Sequence, residues 1–320
     1  MKKHITHFIL GLIASATTSS LYAQTIPPVI HIVVPSTAGA STDLNARIIA
    51  KQLGERLGNT VVVDNRPGGS GMIGARQVAR GAKDGSTLLF SSVSLFTTSA
   101  TSRKSSVDVN KELTPIAISS VGPLVIAVST KTNIKTPADL LAAAKANPDE
   151  ITHGTAGVGT IAHLATELLN ESAHIKLKHI PYKGASLAVT DASGGTIDMV
   201  VASNSTFDAQ IKAGRMRAIA VTSNEKSPSF PNLETMNSVV PGYTAELWTA
   251  MFVPTGTPPE LITLLNKEIN EILQSKEILD YLSIDGATPL ILTPKQVKQF
   301  VDEKYEDWKK IAKEKDIILD

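Results

Sequence analysis

Cysteine is absent from the chain, which removes disulfides, thiolate metal sites and cysteine nucleophiles at once. Aromatic residues make up only 4%, too few for the stacking platforms that grip bases or sugars. Neither sign of charge prevails, since 31 Lys and Arg stand against 30 Asp and Glu; nothing marks a binder of nucleic acid or anionic membrane. Beyond the N-terminus no apolar run reaches the roughly 18 residues of a membrane span. No G-x-S-x-G elbow occurs. His153 and His163 stand ten residues apart across a loop, which is not a metal-ligand spacing. The stretch "GSGMIG", Gly69 to Gly74, matches a dinucleotide fingerprint literally. Yet five residues separate it from its strand, and the next strand ends "LLFSSVS" without an acid; it is read as a glycine-rich turn, with no cofactor and no metal. Nothing here supports an enzyme.

What is present begins with an export signal. Lys2 and Lys3 precede the short apolar run "FILGLIASA", and "SSLYA" supplies small residues before Gln24. This is the pattern of a signal peptide over residues 1–23, cleaved after Ala23, which marks the mature protein for export. Strands then alternate with helices along 320 residues of which 42% are hydrophobic, as in parallel sheets covered on both faces. "TPADLLAAAKANP" reads as a helix with Thr136 as N-cap, Pro137 in its first turn and Asp139 at the capping-box position. The last 60 residues or so read as helices, with Val297, Phe300, Val301, Trp308 and Ile311 packing against the body.

One junction stands out. "VPSTAGASTD", Val34 to Asp43, joins the apolar strand at Val29–Val33 to a helix expected to bury Leu44, Ile48, Leu53 and Leu57. "ITHGTAGVGTIAHLATELL", residues 151–169, repeats the design: strand, then Gly, Ala and Thr, then an apolar-faced helix. The first N–H groups of a helix lack internal partners and lie at the positive end of its dipole. Small residues let an anion reach that backbone, and hydroxyls add donors, so such a turn can bind a carboxylate or phosphate without Arg or Lys. Two copies point to a cleft with an anion clamp on each wall. Asp43 and Asp198 serve equally well as an acid pair or as solvated turn residues.

The series "IVVPSTAGASTDLNARIIAKQL", "VVVDNRPGGSGMIGARQVARGAKDGSTLL", "GTAGVGTIAHLATELL", "HIPYKGAS", "GGTIDMVVASN", "IKAGRMRAIAVTS" and "PGYTAELWTAMFVPTGTP" resembles, in order and spacing, the periplasmic receptors of tripartite tricarboxylate transporters, the Bug family. The resemblance covers nearly the whole mature chain. It implies an α/β, two-lobed type II periplasmic binding protein, each lobe a mostly parallel sheet flanked by helices. Residues 24–123 would form the first part of lobe 1, 124–222 lobe 2, and 223–320 the return to lobe 1, with crossings near 114–130 and 216–250. It implies a monomer that closes on a small carboxylate and delivers it to integral-membrane transporter subunits. A sensor of the same acid, signalling to a two-component membrane kinase, is the alternative.

Carried over residue by residue, the first wall comprises Ser36, Thr37, Ala38, Gly39, Ala40, Ser41 and Asp43, with Ser92 beside it. The second comprises Thr155, Ala156, Gly159, Thr160 and His163, with Ser203 beside it and Trp248 covering the ligand's apolar part. Departures are visible. Thr37-Ala38 and Gly39-Ala40 stand where many members have two prolines and two glycines, and "LFTTSA" lacks the family's His and Pro. Val201-Ala202-Ser203 lacks an Asp that many members carry. An ammonium group is costly to bury without an acceptor, so the expected ligand is an acid without an amino group.

Overall fold

The computed structural model describes residues 26–102 and 107–314. The expected signal peptide lies outside the described residues. The chain opens with β1 (Val29–Val34), α1 (Ser41–Leu57), β2 (Thr60–Asn65), a 3-10 turn at Gly69–Gly71, α2 (Met72–Ala79), β3 (Thr87–Ser92), α3 (Ser94–Thr101), α4 (Val109–Glu112) and β4 (Leu113–Pro123). It continues through β5 (Val125–Ser129), α5 (Pro137–Ala146), β6 (Thr152–Thr155), α6 (Ile161–Ala173), β7 (Lys178–Pro181), α7 (Ala185–Gly194), β8 (Met199–Ala202), α8 (Asn204–Lys212), β9 (Met216–Val221) and β10 (Glu234–Thr235). It closes with β11 (Glu246–Pro254), α9 (Pro259–Ile272), α10 (Lys276–Ile284), β12 (Thr288–Leu290) and α11 (Pro294–Glu314). Among the described residues no helix is long and apolar enough to cross a membrane.

The strands form two six-stranded sheets, ordered β12-β4-β11-β3-β1-β2 and β10-β9-β5-β8-β6-β7. Parallel trios form the heart of each, β2-β1-β3 and β7-β6-β8. The antiparallel pairings involve β11, β12 and β5. Two of these have one cause. The single residue Leu124 separates β4 from β5, so the chain runs straight out of one sheet into the other, and β5 enters its sheet from the cleft side, against its neighbours. β11 does the same on the way back. That return comes later than expected: β10 pairs with β9, Glu234 opposite Ala220, so the chain stays with the second sheet through Thr235. A two-residue strand leaves no periodic trace in a sequence.

Each sheet buries its apolar residues under helices. In the first, Ile30, Ile32, Leu88 and Phe90 pack with Ile49 and Leu53 of α1 and with Leu265, Ile269 and Ile278 of α9 and α10. Each such side chain contributes about 1.5–3 kcal/mol relative to exposure. The stripe that α1 buries is Ala46, Ile49, Ala50 and Leu53; of the residues expected there Leu53 is buried, while Leu44, Ile48 and Leu57 are only half-buried. On the sheet's other face Phe96, Val297 and Val301 belong to a core that continues, through Tyr243 and Trp248, to Ile126, Leu164 and Leu169 of the second lobe. A separate cluster, with Ala188, Val189, Val200 and Phe207, lies under α7 and α8.

Close packing of α7 on β6 depends on Gly154. A Cβ there would fall 2.8 Å from the Cβ of Ala188 and 2.5 Å from Ile197. Ile197 has rotamers to retreat into; Ala188 has none. Gly154→Ala should therefore cost roughly 1–3 kcal/mol by overpacking, read as a lower urea midpoint at unchanged slope.

Candidate functional site

The C-terminal ends of β1, β3, β6 and β8 meet the starts of the helices that follow them in one cleft between the lobes, as expected for open α/β sheets. Its empty volume is about 820 Å³, part of it open to solvent. Ser41 and Thr42 of α1, Ser94 of α3, Ile161 and Ala162 of α6, Ala185 of α7 and Ser203 just before α8 lie on its lining. Leu95, Leu124, Val201 and Leu247 supply an apolar surface, and Lys183 reaches the rim.

The helices differ in how their first donors are met. On the surface, α5 has a complete capping box, with Thr136 accepting from Asp139 N and Asp139 accepting from Thr136 N. In the cleft, α1 begins at Ala40, which has no side chain to cap with. Thr160 precedes α6 without capping it; its hydroxyl is turned back to donate to Gly157 O at 2.8 Å. Ser203 precedes α8, again without a side-chain cap. One α6 donor is met across the cleft, Ile161 N reaching Ser94 Oγ at 3.2 Å. An α8 donor is met likewise, Ser205 N reaching Asp285 Oδ1 at 2.6 Å. The first-turn residues Ser41, Thr42, Ile161 and Ala162 thus line a gap that an anion can fill.

The first loop is held in shape from behind. Gly39 sits at φ 79°, and its N–H donates to Asp43 Oδ2 at 2.9 Å. Asp43 also accepts from Arg47 Nε at 3.1 Å and Asn65 Nδ2 at 2.9 Å. Burial pushes its carboxyl up, but those hydrogen bonds outweigh burial and leave its pKa lowered. Ser36 Oγ and Thr37 Oγ1 are buried with no hydrogen-bond partner, and Ser36 lies on the cleft lining.

The second loop rests on three imidazoles. His163 and His179 stack with centroids 3.6 Å apart, and His153 lies 4.9 Å from His179. Gly159 N donates to His163 Nδ1 at 3.2 Å, and Thr155 Oγ1 lies 2.6 Å from His179 Nε2. Glu167 stands 3.4 Å from His163 Nε2. Both nitrogens of His153 are buried without a partner. Burial, reinforced by the neighbouring rings, pushes the pKa of His153 well down, and burial takes His179 to about 4. Across the cleft, Ser70 Oγ donates to Val158 O and Thr97 Oγ1 to Gly159 O at 2.7 Å.

Of the residues expected at the site, Ser36, Ala40, Ser41, Ser92, Ala156, Thr160 and Ser203 lie on the lining. Gly39, Asp43, Thr155, Gly159 and His163 stand behind it as the braces just described, and Thr37 packs against Gly184 of the opposite lobe. Ala38 is exposed beside the first loop. Trp248 does not face the cleft. It is 1% exposed, packed against Phe96 and Phe300, and Leu247 faces the cleft instead, because successive side chains of a strand point to opposite faces. Asp43 and Asp198 form no pair; Asp198 accepts from Thr152 N and Oγ1. Sequence reasoning missed Ser70, Gly71, Ser94, Lys183 and Asp285. Ser70 and Gly71 lay in plain view in the glycine-rich turn.

The profile described as "Tripartite tricarboxylate transporter family receptor" matches residues 45–317. Protein BugT of Bordetella pertussis strain Tohama I is 36% identical over 288 residues, covering 89% of this chain and 88% of that one. Among solved structures, the periplasmic binding protein BugD superposes with a TM-score of 0.86 at 29% identity, over 90% of this chain and 98% of that one. R. palustris Rpa4515, solved with adipate, gives 0.86 at 30% identity, over 91% and 98%.

The buried imidazoles couple stability to pH. His179 falls from 6.5 to about 4 on folding, so between those values the unfolded chain binds more protons than the folded one. The stabilisation is complete above about 6.5 and is lost as the pH falls towards 4, at no more than about 1.4 kcal/mol per pH unit for each such group. Urea unfolding from pH 7 to pH 4.5 should show this decline. His153→Leu, which removes one imidazole whose nitrogens have no partner, should flatten it.

Proposed function

The chain belongs to the tripartite tricarboxylate transporter receptor family, the Bug proteins, and from that premise we propose that it captures a small organic acid between its lobes and delivers it to the integral-membrane subunits of such a transporter. The proposal includes export to the periplasm by cleavage after Ala23 and action as a monomer, with binding rather than catalysis as its task. The observation that carries it is the contrast in capping: α5 is fully capped at the surface, whereas α1 and α6 open uncapped on the cleft. A carboxylate lying between their first turns would complete both. The adipate of the R. palustris relative supports a carboxylate as the anion.

The lining narrows the ligand further. Leu95, Leu124, Val201 and Leu247 suit a hydrocarbon body, aliphatic or aromatic. The hydroxyls of Ser41 and Thr160 are already donating within the protein, which leaves backbone N–H groups, the hydroxyls of Ser36, Ser92, Ser94 and Ser203, and Lys183 as the donors the lining offers the acid. Ala202 offers no acceptor to an ammonium group, and Asp43, Asp198 and Asp208 are engaged elsewhere. The ligand is therefore an acid without an amino group.

A thermal-shift screen of mono- and dicarboxylates against their α-amino counterparts tests this reading. An acid at about a hundred times its dissociation constant should add roughly 2.7 kcal/mol, a shift of several degrees. Ala162→Pro deletes one first-turn N–H where proline is tolerated. It should weaken the best acid by about 1.5–3 kcal/mol, the scale of a hydrogen bond to a charge, with little change in unliganded melting. Shifts confined to amino acids, or full affinity in the proline variant, would reject the reading.

A further inference from the structure

Asp285 occupies an awkward place. It follows the last residue of α10, where the helix dipole is negative, and it is only 6% exposed. A carboxylate buried at that pole needs strong partners. It has three: Ser41 Oγ donates at 3.1 Å, Ser205 N at 2.6 Å and Ser205 Oγ at 2.9 Å. Ser41 opens α1 in the first lobe, and Ser205 lies in the first turn of α8 in the second. One carboxylate therefore ties together helix starts from both walls of the cleft.

The tie at α8 stands where a cap is missing, since Ser203 offers no side-chain cap. The opposite lobe supplies the anion that this helix start lacks. Neighbouring bonds make the same joint. Asn204 Nδ2 donates to Ile284 O at 3.0 Å, Tyr281 OH lies 3.4 Å from Ser205 Oγ, and Ser41 N approaches Thr206 Oγ1 at 3.4 Å. Asp285 and Ser41 also share a small pocket with Gly122, Pro123 and Leu247, at the strands that cross between the lobes.

We propose that Asp285 is a positioning residue for capture: by capping α8 across the cleft it holds the two lobes in their closed arrangement and keeps Ser41 in register. The inference rests on the reading of the chain as a receptor whose lobes close. It assigns Asp285 no contact with the ligand. A receptor whose closed form is less populated binds with a proportionally weaker apparent constant, so this residue would set affinity from outside the binding surface.

The absence of cysteine makes the test direct. Cysteines introduced at the exposed positions Glu55 in the first lobe and Lys145 in the second carry spin labels, and the distance between them is measured by pulsed resonance without any added acid. The labelled wild type should show a short-distance population. Asp285→Ala should deplete it by roughly ten-fold relative to the open form; Asp285→Asn, which loses the charge, and Ser205→Ala, which removes the hydroxyl bond but leaves the backbone one, should deplete it less. The Asp285→Ala/Ser205→Ala double variant should go no further than Asp285→Ala, since that change already removes the Ser205 Oγ bond. Asn keeps the side-chain volume should Ala fail to fold, and Ser205→Ala weakens the joint from the other lobe. Distance distributions identical to wild type in the folded variants, or a wild type without the short population, would overturn the assignment. Failure of every carboxylate, adipate included, to change the wild-type distribution or its melting would count instead against capture itself.

Discussion

A helix cannot satisfy its own first N–H groups, and the rest of this structure is arranged around where those groups are left open. Away from the cleft α5 and α10 meet the need locally, at Thr136 with Asp139 and at Ser275. In the cleft local capping is withheld. Ala40 has nothing to offer, and Thr160 turns its hydroxyl back to Gly157. Uncapped turns carry partial positive charge without a mobile cation. They need no rearrangement to receive an anion, and the apolar residues between them strengthen the attraction by excluding water.

Such a site works only if its loops hold still, and the strongly polar side chains nearby are spent on that. Asp43 draws Gly39, Arg47 and Asn65 together behind the first loop. The imidazole stack supports Thr155 and Gly159 behind the second. Asp198 pins the start of β6 to the edge of β8. The residues with the most evident chemistry are supports, and the surface offered to a ligand is mostly backbone, small hydroxyls and aliphatic carbon. That division also explains the depressed imidazole pKa values, which follow from burial among other rings.

Much of this was legible in the sequence, and the failures have physical reasons. The capping box at Thr136, the alternation of strands and helices, and the paired strand-loop-helix units all carry local signals, and all are present. The buried stripe of α1 was misjudged because two of its members are alanines, which weigh little in a hydrophobic pattern. Trp248 was placed in the cleft by the family resemblance, and nothing in the sequence of β11, "ELWTAMFVP", could correct it, because the strand is buried on both faces and without alternation a sequence gives no parity. The serine and threonine hydroxyls were counted as free donors, since nothing in a sequence shows that a proton is already committed. Asp285, in "SIDGATP", looks like an ordinary turn residue before glycine, and its partners come from Ser41 and Ser205, distant in the chain.

The interleaved path of the chain has a further consequence for the order in which the molecule can be completed. During synthesis the second lobe emerges whole, from β5 to β10, while the first still lacks its middle. β3 and β4 are neighbours only through β11, which is made later, and α9, α10 and α11 are needed to cover the faces they leave bare. Contacts between segments so distant in the chain form slowly, because the intervening loop must close first. The lobe that begins the polypeptide is therefore the last to become a folded body, and until the final helix is available its apolar sheet faces are open to other proteins that bind unfolded chains.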